Sequence, residues 1–194
     1  MADRGDPGPM EQRVTELRQS MESARLLHEM PKPTIAMARG AVAGAGLSLA
    51  LACDFLIVSD RLKLTSAFVN VGLSGDFGST YFLTHRLGHR ARELALLSPL
   101  LDAAEAERLG LVNRVVADAE LENVTADLAA RLAAGPGLTQ GHIKANLNAA
   151  EQGATLAQLL DQEAWRHIRC SLTEDHQEAA SAFVEKRTPQ FRNR

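Results

Sequence analysis

A chain of 194 residues that is 45% hydrophobic and 23% charged has the balance of one globular domain with a sizeable core, which argues against a disordered or fibrous protein. A formal net charge of -3, with basic residues dispersed except for a mildly basic end at residues 185–194, gives no reason to expect nucleic acid as a partner. The longest apolar run, residues 40–53, is shorter than the roughly 20 residues of a membrane span. Two cysteines, Cys53 and Cys170, lack metal-ligand spacing; a cytoplasmic protein with free thiols and no membrane contact is expected.

In chain order, residues 1–9 hold prolines and glycines among charges without periodicity, and a flexible arm is expected there. Val14, Leu17, Met21 and Ala24 recur at helical spacing over residues 10–30, with His28 on the same packed stripe, and Pro31-Lys32-Pro33 stops that helix. Residues 34–38 and 55–59 read as strands. The glycine-rich stretch 40–54, GAVAGAGLSLALACD, reads as a loop and helix crossing over between them. A short strand at 63–65 follows, then a turn through Gly72 and Gly75 to Asp76, then helices over 77–87 and 90–97 with Gly88 between them. The second half reads as mostly helical. Asp102 with Glu105 and Thr155 with Gln158 form capping boxes, 111–116 is strand-like, and Leu156, Leu160 and Ala164 share one helix face. So few strands for so many helices suggest that strands are missing or supplied by another chain.

Two stretches carry candidate chemistry. In residues 40–54, amides at Ala45 and Gly46 at a helix start can face a carbonyl oxygen that becomes negative during reaction; close packing of small residues is the alternative. The spacing is not a dinucleotide fingerprint. Gly46-Leu47-Ser48-Leu49-Ala50 is close to a nucleophile elbow, but no His and Asp follow in order, so Ser48 reads as a small polar residue of the first helical turn. Asp76, in a glycine-rich loop between apolar segments, either moves a proton or caps the helix after it. His85 and His89 have the spacing of a helical metal pair without a third ligand, and no metal is expected. His142, His167 and His176 read as surface or rim residues.

These residues bring out a resemblance. Lys32-Pro33-Thr34-Ile35-Ala36, the 40–54 stretch, VGLSGDFGSTYFL at 71–83, AERLGLVNRVV at 106–116 and AFVEKRTPQF at 182–191 together resemble the enoyl-CoA hydratase/isomerase (crotonase) family over residues 31–194. The resemblance implies an α/β fold with a superhelical core of ββα units, here N-terminally truncated over 10–134. It also implies a helical region at 135–194 that assembles trimers or hexamers. The implied substrates are acyl-CoA thioesters, with coenzyme A part of the substrate and no separate cofactor.

The family's glycine triplet corresponds to Gly44-Ala45-Gly46, which makes the Ala45 amide an oxyanion donor. Gly44, Gly46, Ser48, Phe68 and Gly75 are the implied substrate contacts. Ser48 and Phe68 occupy the positions of the two glutamates with which the family's hydratases add water, so hydration by that route is not expected. Asp76 matches the working aspartate of isomerase and dehalogenase members. Family members carry further strands ahead of this region, including the segment with the first oxyanion amide, and residues 1–5 resemble the loop just after it. An isomerase-like enzyme is therefore expected, with a non-catalytic homologue that assembles or binds acyl-CoA without turnover as the alternative.

Overall fold

A computed structural model describes residues 8–193, so the arm expected over 1–9 falls almost wholly outside the described residues. Helix α1 (Met10–Glu29) carries a ladder of ion pairs on its exposed side, Arg18 to Glu22 and Arg25 to both Glu22 and Glu29, at the three- and four-residue spacing that puts side chains on one face. It buries Ala24 and stops at Met30, where the prolines follow.

The chain then makes strand β1 (Ile35–Ala38), turns at Gly40 with a positive φ of 64°, and makes β2 (Ala41–Ala43) before helix α2 (Ala45–Ala52). Strand β2 corrects the sequence reading, which took residues 40–44 as loop; three residues flanked by glycines leave no alternation from which to read a strand. Strands β3 (Phe55–Ser59) and β4 (Lys63–Thr65) repeat the arrangement. Ile35 pairs with Phe55 and Ala38 with Val58 in parallel register, so α2 is the crossover helix of a parallel pair.

Two three-stranded sheets result. In one, β3 lies between β1 and β6 (Arg114–Val116), all parallel; in the other, β4 lies between β2, parallel to it, and β5 (Leu101–Asp102), antiparallel. Between them and the helices lie Leu47, Leu51, Leu56, Leu64, Leu83 and Leu111, each almost fully buried. A buried leucine contributes about 1.5–3 kcal/mol, so these positions hold α2 in place.

Helices α3 (Ser79–Leu87) and α4 (Ala91–Leu97) begin one or two residues later than the sequence suggests. Asp102 caps α5 (Ala103–Arg108) by accepting the Glu105 amide at 2.9 Å. Then come α6 (Leu121–Ala133), α7 (Gly137–Glu151), α8 (Leu156–Ser171) and α9 (Glu174–Glu185). Both halves of the Thr155–Gln158 capping box form. Lys144 of α7 is buried and ties that helix to the core: its Nζ donates to Asp54 Oδ2 at 2.7 Å and to the carbonyls of Leu27 and Lys32 at 3.0 and 3.1 Å. By contrast, α8 buries no residue, and the stripe that begins with Leu156 and Leu160 lies open with Trp165 and Ile168. No helix among the described residues is long and apolar enough to cross a membrane.

Candidate active site

The turn into α2 depends on Gly44, whose φ of 54° and ψ of -128° side chains strongly disfavour. Ser48 donates its amide to the Gly44 carbonyl at 3.1 Å, so the amides before it, Ala45 and Gly46 among them, precede the helix's own hydrogen-bond ladder. A Cβ added to Gly46 would meet nothing within 4 Å. Close packing therefore does not account for that glycine, and the turn has open space beside it. The Ser48 side chain is fully buried and donates back to the Gly44 carbonyl at 3.2 Å, which removes it as a nucleophile.

Phe68 joins this turn to the second candidate stretch. A Cβ on Gly44 would stand 3.8 Å from Cε1 and Cζ of its ring, and a Cβ on Gly75 would stand 3.8 Å from Cδ2. The amide turn and the Asp76 loop thus meet on one aromatic ring. Phe68 is fixed from behind: Ala67, at a φ of 62°, donates its amide to Ser98 Oγ at 2.7 Å, and Ser98 itself sits at a φ of 48° after α4. Thr65 Oγ1 lies 2.8 Å from Ser98 Oγ, and Ser66 Oγ donates to the Leu94 carbonyl at 2.8 Å. Sequence reasoning missed this hydroxyl cluster, because about 30 residues separate its halves and neither half has a motif of its own.

Asp76 lies in a loop with left-handed backbone at Gly75 (φ 105°), Phe77 (φ 47°) and Gly78 (φ 78°). Its carbonyl, not its carboxylate, accepts the Ser79 amide at 2.9 Å, and Gly78 holds the N-cap position. The capping role considered for Asp76 is therefore not the one it plays. Its Oδ1 is buried without a hydrogen-bond partner, and burial raises the carboxyl above its ordinary value. His85 and His89 are exposed, His85 against the Tyr81 ring at 4.3 Å, and no metal-holding cluster exists among the described residues. His28 packs edge-on against Phe82 at 5.3 Å, with Nε2 3.3 Å from Glu151 Oε2, a packing role on the stripe expected for it.

Beside Phe68 and Ser79, a pocket of about 300 Å³ opens between α3 and α4. That is the small end of the range for ligand pockets, about 300–1,000 Å³. An unpartnered carboxylate near unpaired helix amides suits moving a proton next to a carbonyl whose oxygen takes up negative charge.

Paired ββα units, with amides presented at the start of the crossover helix, define a crotonase-like protein. The chain belongs to the enoyl-CoA hydratase/isomerase family, whose sequence model matches residues 6–194. It is 39% identical over 168 residues to 1,2-epoxyphenylacetyl-CoA isomerase of Escherichia coli K12, covering 86% of this chain and 64% of that one. It is 35% identical over 180 residues to trans-2-decenoyl-[acyl-carrier-protein] isomerase of Streptococcus mutans, covering 92% and 67%. Among solved structures, an enoyl-CoA hydratase from Polaromonas sp. JS666 superposes with a TM-score of 0.89 at 33% identity, covering 94% of this chain and 71% of that one. The chain thus spans about two thirds of the length of these relatives.

Proposed function

We propose that this protein acts on an acyl-CoA thioester by stabilising an enolate, as an isomerase rather than a hydratase. The Asp76 carboxylate takes a proton from the carbon next to the thioester carbonyl, and the electron pair moves onto the oxygen, where the Ala45 amide donates to it. The carboxyl then returns the proton further along the acyl chain, and the double bond shifts. Gly46 leaves open space for the substrate, Phe68 bounds the site with Gly44 and Gly75 against its ring, Ser48 lies fully buried behind the turn and not against the substrate, and coenzyme A enters as part of the substrate. No separate cofactor or metal ion has a role in this scheme.

The observation that carries this reading is the buried, unpartnered Oδ1 of Asp76, set against a serine and a phenylalanine where hydration calls for glutamates. Two relatives named as isomerases add support. The test is conversion of 3-enoyl-CoA to 2-enoyl-CoA by the purified protein: saturable turnover lost in Asp76→Asn supports the scheme, and full activity in that variant removes Asp76 as the base.

A second reading is an acyl-CoA binder without turnover, since the chain spans only 64% of the length of the 1,2-epoxyphenylacetyl-CoA isomerase it resembles. Calorimetric titration with acyl-CoA that gives binding, together with absent isomerase and hydratase activity, selects it. For assembly we propose a homotrimer or hexamer, because α8 and α9 leave Leu156, Trp165, Ile168 and Phe183 uncovered, at 73%, 65%, 58% and 85% exposure. Sedimentation as a monomer at micromolar concentration counts against it. A cytoplasmic site of action completes the proposal.

A further inference from the structure

The pocket between α3 and α4 has two distinct ends. The near end is made by Phe68 and Ser79, and Ser79 Oγ lies only 2.5 Å from where a Cβ on Gly75 would stand, so this end adjoins the Asp76 loop. From Ser79 the pocket follows α3, whose remaining eight residues rise about 12 Å. Its lining reaches Gly88, where α3 turns into α4. Helix α4 runs back: its Leu94 carbonyl and the Ser98 that follows it bond to Ser66 and Ala67, next to Phe68. The start of α4 is therefore the end of the pocket far from the reacting atoms.

Arg92 stands at that far end. The wall leading to it is mostly apolar, with Leu83, Ala91 and Ala95 along the way and the hydroxyls of Thr80 and Thr84 among them. Arg92 lines the pocket, and among the described residues no ion pair joins its guanidinium to an acidic side chain. An exposed guanidinium keeps its water when the pocket is empty and offers a planar fork of donors that a carboxylate meets with two parallel hydrogen bonds.

We infer that Arg92 selects an acyl group that ends in a second carboxylate, the thioester lying at the Ala45 end and the free carboxylate at the α3–α4 turn. The inference rests on the acyl-CoA reading above and adds the substrate class to it. The phosphates of coenzyme A are the other anions that could reach a lone arginine, so the test separates the two sources.

Calorimetric titration compares adipoyl-CoA with hexanoyl-CoA, equal in chain length and different in the terminal group. The expected result is adipoyl-CoA binding about tenfold tighter, the scale of one charge-assisted hydrogen-bonded pair. In Arg92→Met the ratio of the two affinities falls to within about twofold of one, and in Arg92→Lys it is intermediate, since an ammonium replaces the fork by a point charge. The same preference persists between the adipoyl and hexanoyl thioesters of pantetheine, which lack the phosphates. Binding of both CoA esters with no preference overturns the inference and leaves the acyl-CoA reading standing. A preference that disappears in the pantetheine series, or that survives in Arg92→Met, also overturns it. Failure of both esters to bind overturns the acyl-CoA reading itself.

Discussion

Ser79 donates its amide to the backbone carbonyl of Asp76 at 2.9 Å, so α3 starts without drawing on the Asp76 carboxylate. The side chain is left free for chemistry, with Oδ1 buried and unpartnered. Asp76→Asn keeps the shape and removes the proposed base. Turnover of 3-enoyl-CoA is expected to fall by about 10²–10⁴-fold, the usual contribution of a positioned acid or base, while the melting temperature holds or rises. Steady-state kinetics beside a thermal melt checks both.

The raised Asp76 carboxyl also makes stability depend on pH in a definite direction. In the folded chain it binds its proton more tightly than in the unfolded chain, so stability falls as pH rises through the folded value, and the loss is complete above it. Asp76→Asn removes that dependence. Its gain in melting temperature over the parent is expected to be largest at neutral pH and to shrink as pH approaches the ordinary carboxylate value, about 3.9. In the proposed mechanism the base works ionised, so the acid limb of the activity profile is expected above that same value.

Gly44 and Ala45 separate backbone shape from the amide itself. Gly44→Ala puts a side chain at a φ of 54°, at a cost of about 1–3 kcal/mol, and moves the amide that follows. The added methyl meets only ordinary contacts, 3.8 Å to the Phe68 ring, so the penalty is one of backbone conformation. Ala45→Gly keeps the N–H and costs about 1 kcal/mol or less of helix stability. Urea unfolding paired with acyl-CoA titration should show both stability and binding impaired in the first variant and binding retained in the second.

Ser98→Ala leaves the part-buried Ala67 amide without this acceptor, which costs about 1 kcal/mol. Since that bond holds Ala67 at a positive φ just ahead of Phe68, acyl-CoA affinity is expected to fall along with stability. Ser98→Thr, which keeps the hydroxyl, is expected to restore part of both in the same two measurements.

Lys144→Met removes one partner of a buried ion pair and leaves Asp54 Oδ2 with only the Thr34 donors, its amide at 2.6 Å and its hydroxyl at 2.9 Å. A loss of about 3 kcal/mol is expected, the low end for such a break because Asp54 keeps 24% of its side chain exposed. Urea unfolding midpoints with an unchanged slope will show it.

The sequence by itself determined the local elements. Helical spacing in residues 10–29, β-branched residues at 55–59 and the cap at Thr155 depend on neighbours a few residues away, and each lies where the spacing put it. The same holds for Gly44-Ala45-Gly46, because a glycine before a helix start is a local backbone requirement. How Asp76 is placed was decided only by tertiary structure: its loop pattern fits a helix cap and a buried base equally, and packing around Gly75, Phe77 and Gly78 removed the cap by turning the carbonyl, not the carboxylate, toward α3. Burial set its proton affinity, and burial is a property of the whole fold. The same holds for Phe68 between Gly44 and Gly75, for Ser98 behind it and for Arg92 beside its pocket: each sits among residues distant in sequence, brought together only when the sheets and helices pack.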